Sequence, residues 1–225
     1  MLSHRIAAPA LKDMRRLPVY LVLDTSYSMG GEPIESVKSG VQMMLSALKQ
    51  DPYALETAFL SIITFDSDAR QILPLTELPS IQMPELTIGG GTSLGLALKA
   101  TAEAIENDVT RNTADSKGDW KPMVFLMTDG APTDDWEKYL DVFARQNKGV
   151  VVCCAAGPHA ETGVLQKISE VVVKLDTADE ASIKAFFTWV SQSMAVTSQK
   201  VDLEKKEVSS VSDLPPPPEE IVLVK

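Results

Sequence analysis

Two stretches of this chain are apolar without interruption, and each leads directly into oxygen-bearing side chains. The first covers residues 17–23 and is followed by Asp24, while the second covers residues 123–127 and is followed by Thr128 and Asp129. A strand with one solvent-facing side alternates polar and apolar residues, so unbroken runs are typical of strands buried on both faces. Such strands need helices above and below them, which predicts a parallel α/β sheet.

The remaining segments alternate between strand and helix patterns. The predicted strands are residues 17–23, 57–65, 70–75, 123–128, 150–156 and 171–175. The predicted helices are residues 33–50, 92–108, 133–146, 162–169 and 179–196. The connection 66–68 is short enough for an antiparallel hairpin, which puts strand 70–75 at an edge. We therefore predict an α/β fold with a doubly wound, Rossmann-like, mostly parallel sheet, one antiparallel edge strand and helices on both faces.

The sequence divides into an arm at 1–16, one domain at 17–197 and a charged, proline-rich tail at 198–225. A chain of 225 residues is long enough for one full core, and two domains would be cramped. The tail contains four prolines at 215–218 and then an apolar segment beginning at Ile221. That segment could add a strand to the chain's own sheet edge or to a partner's, and these two interpretations stay open beside a frayed tail.

Charge and cysteine content exclude several classes of function. Lys and Arg total 21 against 31 Asp and Glu, and the net charge of −10 argues against binding nucleic acid or an anionic membrane. No stretch approaches the roughly 20 apolar residues of a membrane span, and no secretory signal is recognisable. Cys153 and Cys154 are adjacent on a predicted strand, so they should face opposite ways as buried hydrophobes rather than form a disulfide or a redox pair. We expect a cytoplasmic protein.

Oxygen-bearing residues recur where predicted strands end or helices begin. Asp24, Ser26 and Ser28 alternate after the first strand, Thr92 follows three glycines, and Asp129 follows the second apolar run. The carboxyl ends of parallel strands lie along one sheet edge, so these residues should converge and suit a hard divalent cation. The competing interpretation is structural: the two aspartates would cap helices and Thr92 would be a helix N-cap, with no metal bound.

The pattern Asp24-x-Ser26-x-Ser28 with Thr92 and Asp129 resembles the metal-ion-dependent adhesion site of von Willebrand factor A domains. The resemblance covers residues 17–196, and residues 16–20 make the chain most similar to TerY-type proteins of bacterial tellurium-resistance and stress-response systems. Tyr27 departs from the pattern because many relatives carry glycine there. We expect this difference to alter the rim of the site rather than cation binding.

The resemblance implies a set of roles. Ser26, Ser28 and Thr92 would bind Mg²⁺, or Mn²⁺ or Ca²⁺, directly, while Asp24 and Asp129 would act through water or through hydrogen bonds to the hydroxyls. An Asp or Glu carboxylate of a protein partner would complete the shell. The predicted function is thus a cytoplasmic, non-enzymatic, protein-interaction module, with a kinase and a phosphatase of the same system as partners.

Enzymatic alternatives are weaker on the residues available. A magnesium-dependent hydrolase could use the same side chains, but the sequence has no Gly-x-Ser-x-Gly elbow and only His4 and His159 as imidazole bases. The glycines before Thr92 lack the Lys-Ser or Lys-Thr of a phosphate loop, and a haloacid-dehalogenase-type phosphatase would need aspartate rather than serine at position 26. For Trp136, an interface anchor and packing on its own domain are equally open.

Overall fold

The computed structural model describes residues 15–146, 149–208 and 210–224. The strands are β1 (Leu17–Asp24), β2 (Ala58–Phe65), β3 (Ala69–Glu77), β4 (Met123–Thr128), β5 (Val150–Ala156), β6 (Val172–Leu175) and β7 (Val222–Val224). The α-helices are α1 (Glu32–Leu48), α2 (Pro52–Thr57), α3 (Leu94–Asp108), α4 (Leu140–Gln146), α5 (Thr162–Ile168) and α6 (Glu180–Gln199). A π-helical segment at Lys200–Glu204 extends α6. The arm up to residue 14, including His4, lies outside the described residues.

The strands form one seven-stranded sheet in the order β3-β2-β1-β4-β5-β6-β7. The five strands from β2 to β6 in that order are mutually parallel, and every residue of β1 is buried. The short connection after β2 makes β3 an antiparallel edge strand, as predicted. The predicted α/β fold class is therefore confirmed, and β7 adds a second antiparallel edge on β6.

Helices cover both faces of the sheet and bury two separate cores. One core packs α1 and α6 against the odd-numbered residues of β1, and the other packs α3, α4 and α5 against its even-numbered residues. Cys154 belongs to the first core and Cys153 to the second, so the adjacent cysteines do face opposite ways. In the described ranges no helix is both long and apolar enough to cross a membrane.

Burial disfavours the reactive thiolate form of both cysteines. Each cysteine is free and fully buried, and burial raises the pKa of the Cys153 thiol to about 12. Thiolate is the reactive and metal-binding form of cysteine, so a pKa that high leaves almost none of it at neutral pH. The pair behaves as the small hydrophobes that the sequence indicated.

Two local predictions were incomplete or wrong. The short helix α2 was not predicted; Asp51 caps it by accepting from Ala54 N at 2.8 Å, and Pro52 occupies the first turn. The helix predicted from residue 133 starts later, with a 3₁₀ turn at Trp136–Tyr139 before α4. Asp134, which lies in the first turn of the predicted helix, accepts hydrogen bonds from the first amides of α3 instead.

The C-terminal segment docks on the chain's own sheet. Val222–Val224 pairs antiparallel with β6, and Ile221 just before it is 4 % exposed. Upstream, the indole Nε1 of Trp189 donates to the backbone oxygen of Pro215 at 2.9 Å. The sequence left open whether this segment pairs with the chain's own sheet or with a partner's, and in the structure it pairs with the chain's own sheet.

The contact between α1 and α6 requires glycine at position 40. A Cβ on Gly40 would lie 2.4 Å from Cδ2 of Phe187, a buried ring on α6. We expect Gly40→Ala to lower the free energy of unfolding by about 1–3 kcal/mol, because an added methyl in a filled core forces neighbours apart. Urea unfolding measures this. The matched control is Gly163→Ala in α5, where a Cβ would meet nothing within 4 Å, and there we expect a gain of about 0.5–1 kcal/mol. Equal effects of the two substitutions would contradict the close packing of α1 on α6.

Candidate metal centre

The end of β1 turns alternate side chains in opposite directions. Thr25 is held against β2, since its backbone N–H and its hydroxyl both donate to the Phe65 oxygen, at 2.8 and 3.2 Å. The Tyr27 side chain is 76 % exposed. Asp24 and Ser26 are buried on the other side, and Ser26 N donates to Asp24 Oδ1 at 2.8 Å. Thr25 and Tyr27 therefore turn away from the side on which Asp24 and Ser26 lie, as the alternation in the sequence predicted.

Hydrogen bonds join four of the five predicted site residues across two strands. Ser26 Oγ and Ser28 Oγ lie 3.0 Å apart, and Ser28 Oγ donates to Asp129 Oδ1 at 2.7 Å. Thr128 Oγ1 at the end of β4 donates to the second carboxylate oxygen of Asp24. These hydrogen bonds, together with the one from Ser26 N to Asp24, connect the end of β1 to the end of its neighbour β4.

The glycine run carries Thr92 to the same place. Gly89 N donates to the Thr25 oxygen at 2.8 Å, and Tyr27 N donates to the Gly90 oxygen at 3.1 Å, so the run lies along the loop after β1. A Cβ on Gly89 would lie 2.0 Å from Asp66 Oδ2, which explains the need for glycine at that close approach. The glycines thus serve backbone packing.

The hydroxyls of Thr92 and Ser28 lie near one point beside Gly130. A Cβ built on Gly130 would lie 3.5 Å from Thr92 Oγ1 and 3.9 Å from Ser28 Oγ. Thr92 itself is 6 % exposed. Within the part of the chain that the structure describes, Thr92 Oγ1 has no hydrogen-bond partner, so this hydroxyl is available to a ligand.

The helix-capping interpretation does not account for these residues. The N-cap of α3 is Ser93, which makes no side-chain capping bond. The first amides of α3 are instead satisfied by Asp134, whose two oxygens accept from Gly95 N at 3.0 Å and Leu96 N at 3.1 Å. α1 begins after Gly31, also without a side-chain cap, so neither Asp24 nor Thr92 is occupied as a helix cap.

Thr133 and Asp134 are supporting residues that the sequence analysis missed. Thr133 Oγ1 accepts from Thr92 N at 3.0 Å, and Thr133 N donates to the Thr92 oxygen at 2.9 Å. Each of them bonds to residues about forty positions earlier in the chain, and no local sequence pattern predicts such a long-range contact. The only signal was polar side chains soon after Asp129.

In the absence of a cation, burial disfavours the ionised form of both carboxyl groups, Asp24 and Asp129. The pKa of Asp24 rises to about 6 because the group is buried, against the opposing effect of hydrogen bonds from Ser26 and Thr128, and the negative charge of Asp129 adds to the rise. Burial also raises the pKa of Asp129, while the hydrogen bond from Ser28 and the charge of His159 lower it. A bound cation would favour the ionised form of both groups.

The donor set fits a hard divalent cation. Hydroxyl and carboxylate oxygens are the ligands that Mg²⁺, Mn²⁺ and Ca²⁺ prefer. Over the described residues there is no group of three or more His, Cys, Asp or Glu side chains that could hold a metal ion. A centre here would therefore depend on the hydroxyls of Ser26, Ser28 and Thr92.

Two other candidates contribute less. Trp136 is partly buried against the core of α3, α4 and α5, with Lys167 Nζ 5.4 Å from its ring centroid. It therefore packs on its own domain. His159 is exposed, and no hydrogen bond in the described structure joins it to Ser26 or Ser28, so the serine–imidazole pair of a hydrolase is not formed here.

Comparison with known proteins identifies the family. The family model for the von Willebrand factor type A domain matches residues 19–201. The uncharacterised protein sll0103 of Synechocystis sp. is 30 % identical over 174 residues, which cover 73 % of this chain and 38 % of that protein. The chain thus spans well under half the length of that relative.

Solved structures show the same fold at low identity. The von Willebrand factor type A protein from Catenulispora acidiphila superposes with a TM-score of 0.60 and 17 % identity, covering 81 % of this chain and 43 % of that one. Proximal thread matrix protein 1 from the mussel byssus, in a structure described as having a zinc-occupied MIDAS motif, has a TM-score of 0.57 and 16 % identity, covering 80 % and 48 %. Since the family model spans most of the chain and its sheet and helices have the family's architecture, the chain belongs to the von Willebrand factor type A domain family.

Proposed function

We propose that this chain binds a divalent cation, Mg²⁺ in the first place, and through it a carboxylate of a protein partner. Ser26, Ser28 and Thr92 would hold the cation directly, with Asp24 and Asp129 behind them. The observation that carries the proposal is the Thr92 hydroxyl, which lies near the same point as Ser28 Oγ and has no hydrogen-bond partner among the described residues. The cation supplies a positive centre that can accept an oxygen ligand from outside.

Hydrogen bonds within the chain position the three residues that would bind the cation. Asp24 fixes Ser26 by accepting its backbone N–H, and Asp129 fixes the Ser28 hydroxyl. Thr133 fixes the backbone of Thr92. Because the three direct ligands are neutral hydroxyls, the cation keeps an affinity for one more anionic oxygen. The zinc-occupied motif reported for the mussel protein, which has the same fold, supports cation binding by this chain.

The cellular setting is a proposal that rests on sequence resemblance. Residues 16–20 and the site motifs are most similar to TerY-type proteins, so we propose a cytoplasmic role in a tellurium-resistance or stress-response system. In that setting, a kinase and a phosphatase of the system are the partners to test first. Capture of each candidate on the immobilised chain in Mg²⁺, and its release by EDTA, would support this setting; capture that EDTA leaves unchanged would count against it.

Cation binding predicts a stabilisation that depends on the site hydroxyls. At a Mg²⁺ concentration about 100 times Kd, binding adds about 2.7 kcal/mol to the free energy of unfolding, so the Tm should rise by about 5 °C or more. Ser26→Ala should abolish this rise. Thr25→Ala is the matched control, because Thr25 is equally buried but its hydroxyl donates to Phe65. The control should lower the Tm yet keep the Mg²⁺-induced rise; loss of the rise in both variants, or in neither, would exclude a specific site.

A further inference from the structure

The loops around the proposed site carry acidic side chains and no lysine or arginine. The loops at the carboxyl ends of the parallel strands are residues 25–31, 66–68, 129–135, 157–161 and 176–179, and the segment 89–93 lies against the first of them. Their acidic residues are Asp66, Asp68, Asp129, Asp134, Asp135, Glu161, Asp176 and Asp179. His159 is the one residue on these loops that can carry positive charge. Arg70, which follows the first residue of β3, pairs with Asp68 at 3.4 Å, and the remaining carboxylates give this rim a negative field.

Some of these carboxylates have structural roles, and others do not. Asp134 caps α3, and Asp179 caps α6 by accepting from Ser182 N at 2.9 Å. Asp135, Glu161 and Asp176 are exposed, and within the described residues none of the three forms a salt bridge. Helix capping thus explains part of the acidic rim and leaves its outer members unexplained.

Tyr27 adds an aromatic surface at the centre of the rim. It lies between Ser26 and Ser28 in the chain, and its side chain is 76 % exposed, the highest value among the exposed large hydrophobic residues. Its backbone N–H is held by the Gly90 oxygen at 3.1 Å, so the ring projects from a fixed loop. An exposed tyrosine on a fixed backbone is a common interface anchor, and its ring face attracts cations.

We infer that the partner presents its carboxylate within a basic surface, with a lysine or arginine packed on the ring of Tyr27. This inference rests on the proposed function. A carboxylate approaching alone would be repelled by the acidic rim, whereas basic neighbours would be attracted to it and would bring the carboxylate to the cation. The rim therefore selects among acidic ligands by the charge that surrounds them.

Labelled peptides test this selection on the full chain in Mg²⁺. The probes are Lys-Arg-Asp-Arg-Lys, Ser-Gly-Asp-Gly-Ser and Lys-Arg-Asn-Arg-Lys, with binding measured by fluorescence anisotropy at about 50 mM and about 500 mM salt. We expect the basic aspartate peptide to bind about tenfold more tightly than the neutral one at low salt, and this advantage to shrink at high salt. The asparagine peptide should show no Mg²⁺-dependent binding.

Variants locate the effect on the rim. Tyr27→Ala should lower the affinity for the basic aspartate peptide by about three- to fivefold. The double variant Asp135→Lys, Asp176→Lys should remove most of the affinity difference between the basic and the neutral aspartate peptides. Asp115→Lys is the control, because it makes the same kind of charge change in the exposed loop between α3 and β4. That loop lies at the amino end of β4, whereas the rim lies at the carboxyl ends of the strands.

The outcomes separate the two proposals. Equal Mg²⁺-dependent binding of the basic and neutral aspartate peptides would overturn the basic partner and leave the cation-bridged function standing. If neither aspartate peptide showed Mg²⁺-dependent binding, the proposed function itself would be overturned. An equal loss in Asp115→Lys and in the rim variants would show a general charge effect and would also overturn the inference.

Discussion

Asp24→Asn is expected to stabilise the cation-free protein at pH 8 while abolishing its response to Mg²⁺. Asp24 is fully buried, and its pKa is raised from 3.8 to about 6, a difference that corresponds to about 3 kcal/mol. Asparagine has the same shape and removes the buried charge. Its oxygen can still accept from Ser26 N, and the Thr128 hydroxyl can rotate to accept from its amide.

The sign of the pH dependence follows from the raised pKa. Between about pH 4 and pH 6 the folded wild type binds a proton that the unfolded chain has released, so the stability of the wild type falls as the pH rises through this interval. Asp24→Asn does not titrate there. The advantage of the variant should therefore be small at pH 4, grow up to about pH 6 and stay constant above it, reaching at most about 3 kcal/mol.

Urea unfolding of both proteins in EDTA, from pH 4 to pH 8, measures this difference. The same series in Mg²⁺ at about 100 times Kd should remove most of the variant's advantage at pH 8, because only the wild type gains stability from the cation, by about 2.7 kcal/mol. An asparagine variant that is less stable than the wild type at pH 8 in EDTA would show that the carboxylate is not destabilised by burial. Stabilisation without loss of the Mg²⁺ response would remove Asp24 from the site.

Deleting residues 215–225 is expected to lower the free energy of unfolding by about 2–4 kcal/mol. The deletion removes β7 from β6, exposes the area covered by Ile221, and takes away the oxygen that accepts from Trp189 Nε1. Burial of one large aliphatic side chain contributes about 1.5–3 kcal/mol and a buried hydrogen bond about 1 kcal/mol, partly offset by the regained freedom of the tail. The Tm should fall by on the order of 10 °C.

A surface substitution in the same strand serves as the control. Leu223 is 47 % exposed, so Leu223→Ser should change the free energy of unfolding by no more than about 0.5 kcal/mol. Thermal unfolding followed by circular dichroism compares the two. An unchanged Tm after the deletion would mean that the tail does not stabilise the sheet in solution. That result would favour the alternative in which the segment adds a strand to a partner's sheet.

The fold was predictable from the sequence wherever burial on both faces left a continuous signal. The strands at 123–128 and 150–156 were predicted with the bounds that β4 and β5 have, because a fully buried strand admits few polar residues. The start of α4 was misplaced because Asp134, which looks like a first-turn carboxylate, caps α3 instead. Local propensity carries no information about which helix a capping side chain will serve.

The sequence predicted that the candidate residues lie together, but it did not predict their electrostatics. The alternation after β1 indicated that Asp24, Ser26 and Ser28 share one side, and the hydrogen bonds among them agree with it. The burial of Asp129 and the contact of Thr133 with Thr92 depend on tertiary packing. The rise in the pKa of the two carboxylates depends on the same packing, because burial causes it. The spacing of residues in the sequence does not predict these features. They determine how strongly the site would attract a cation.

The most direct test of the central claim is a titration with Mn²⁺, followed by the electron paramagnetic resonance signal of the free ion. We predict that the wild type binds one Mn²⁺ per chain, that Mg²⁺ displaces it, and that Thr92→Ala binds none at the same concentrations while Thr25→Ala binds as the wild type does. Equal Mn²⁺ binding by the wild type and Thr92→Ala would contradict a cation site built on the Thr92 hydroxyl.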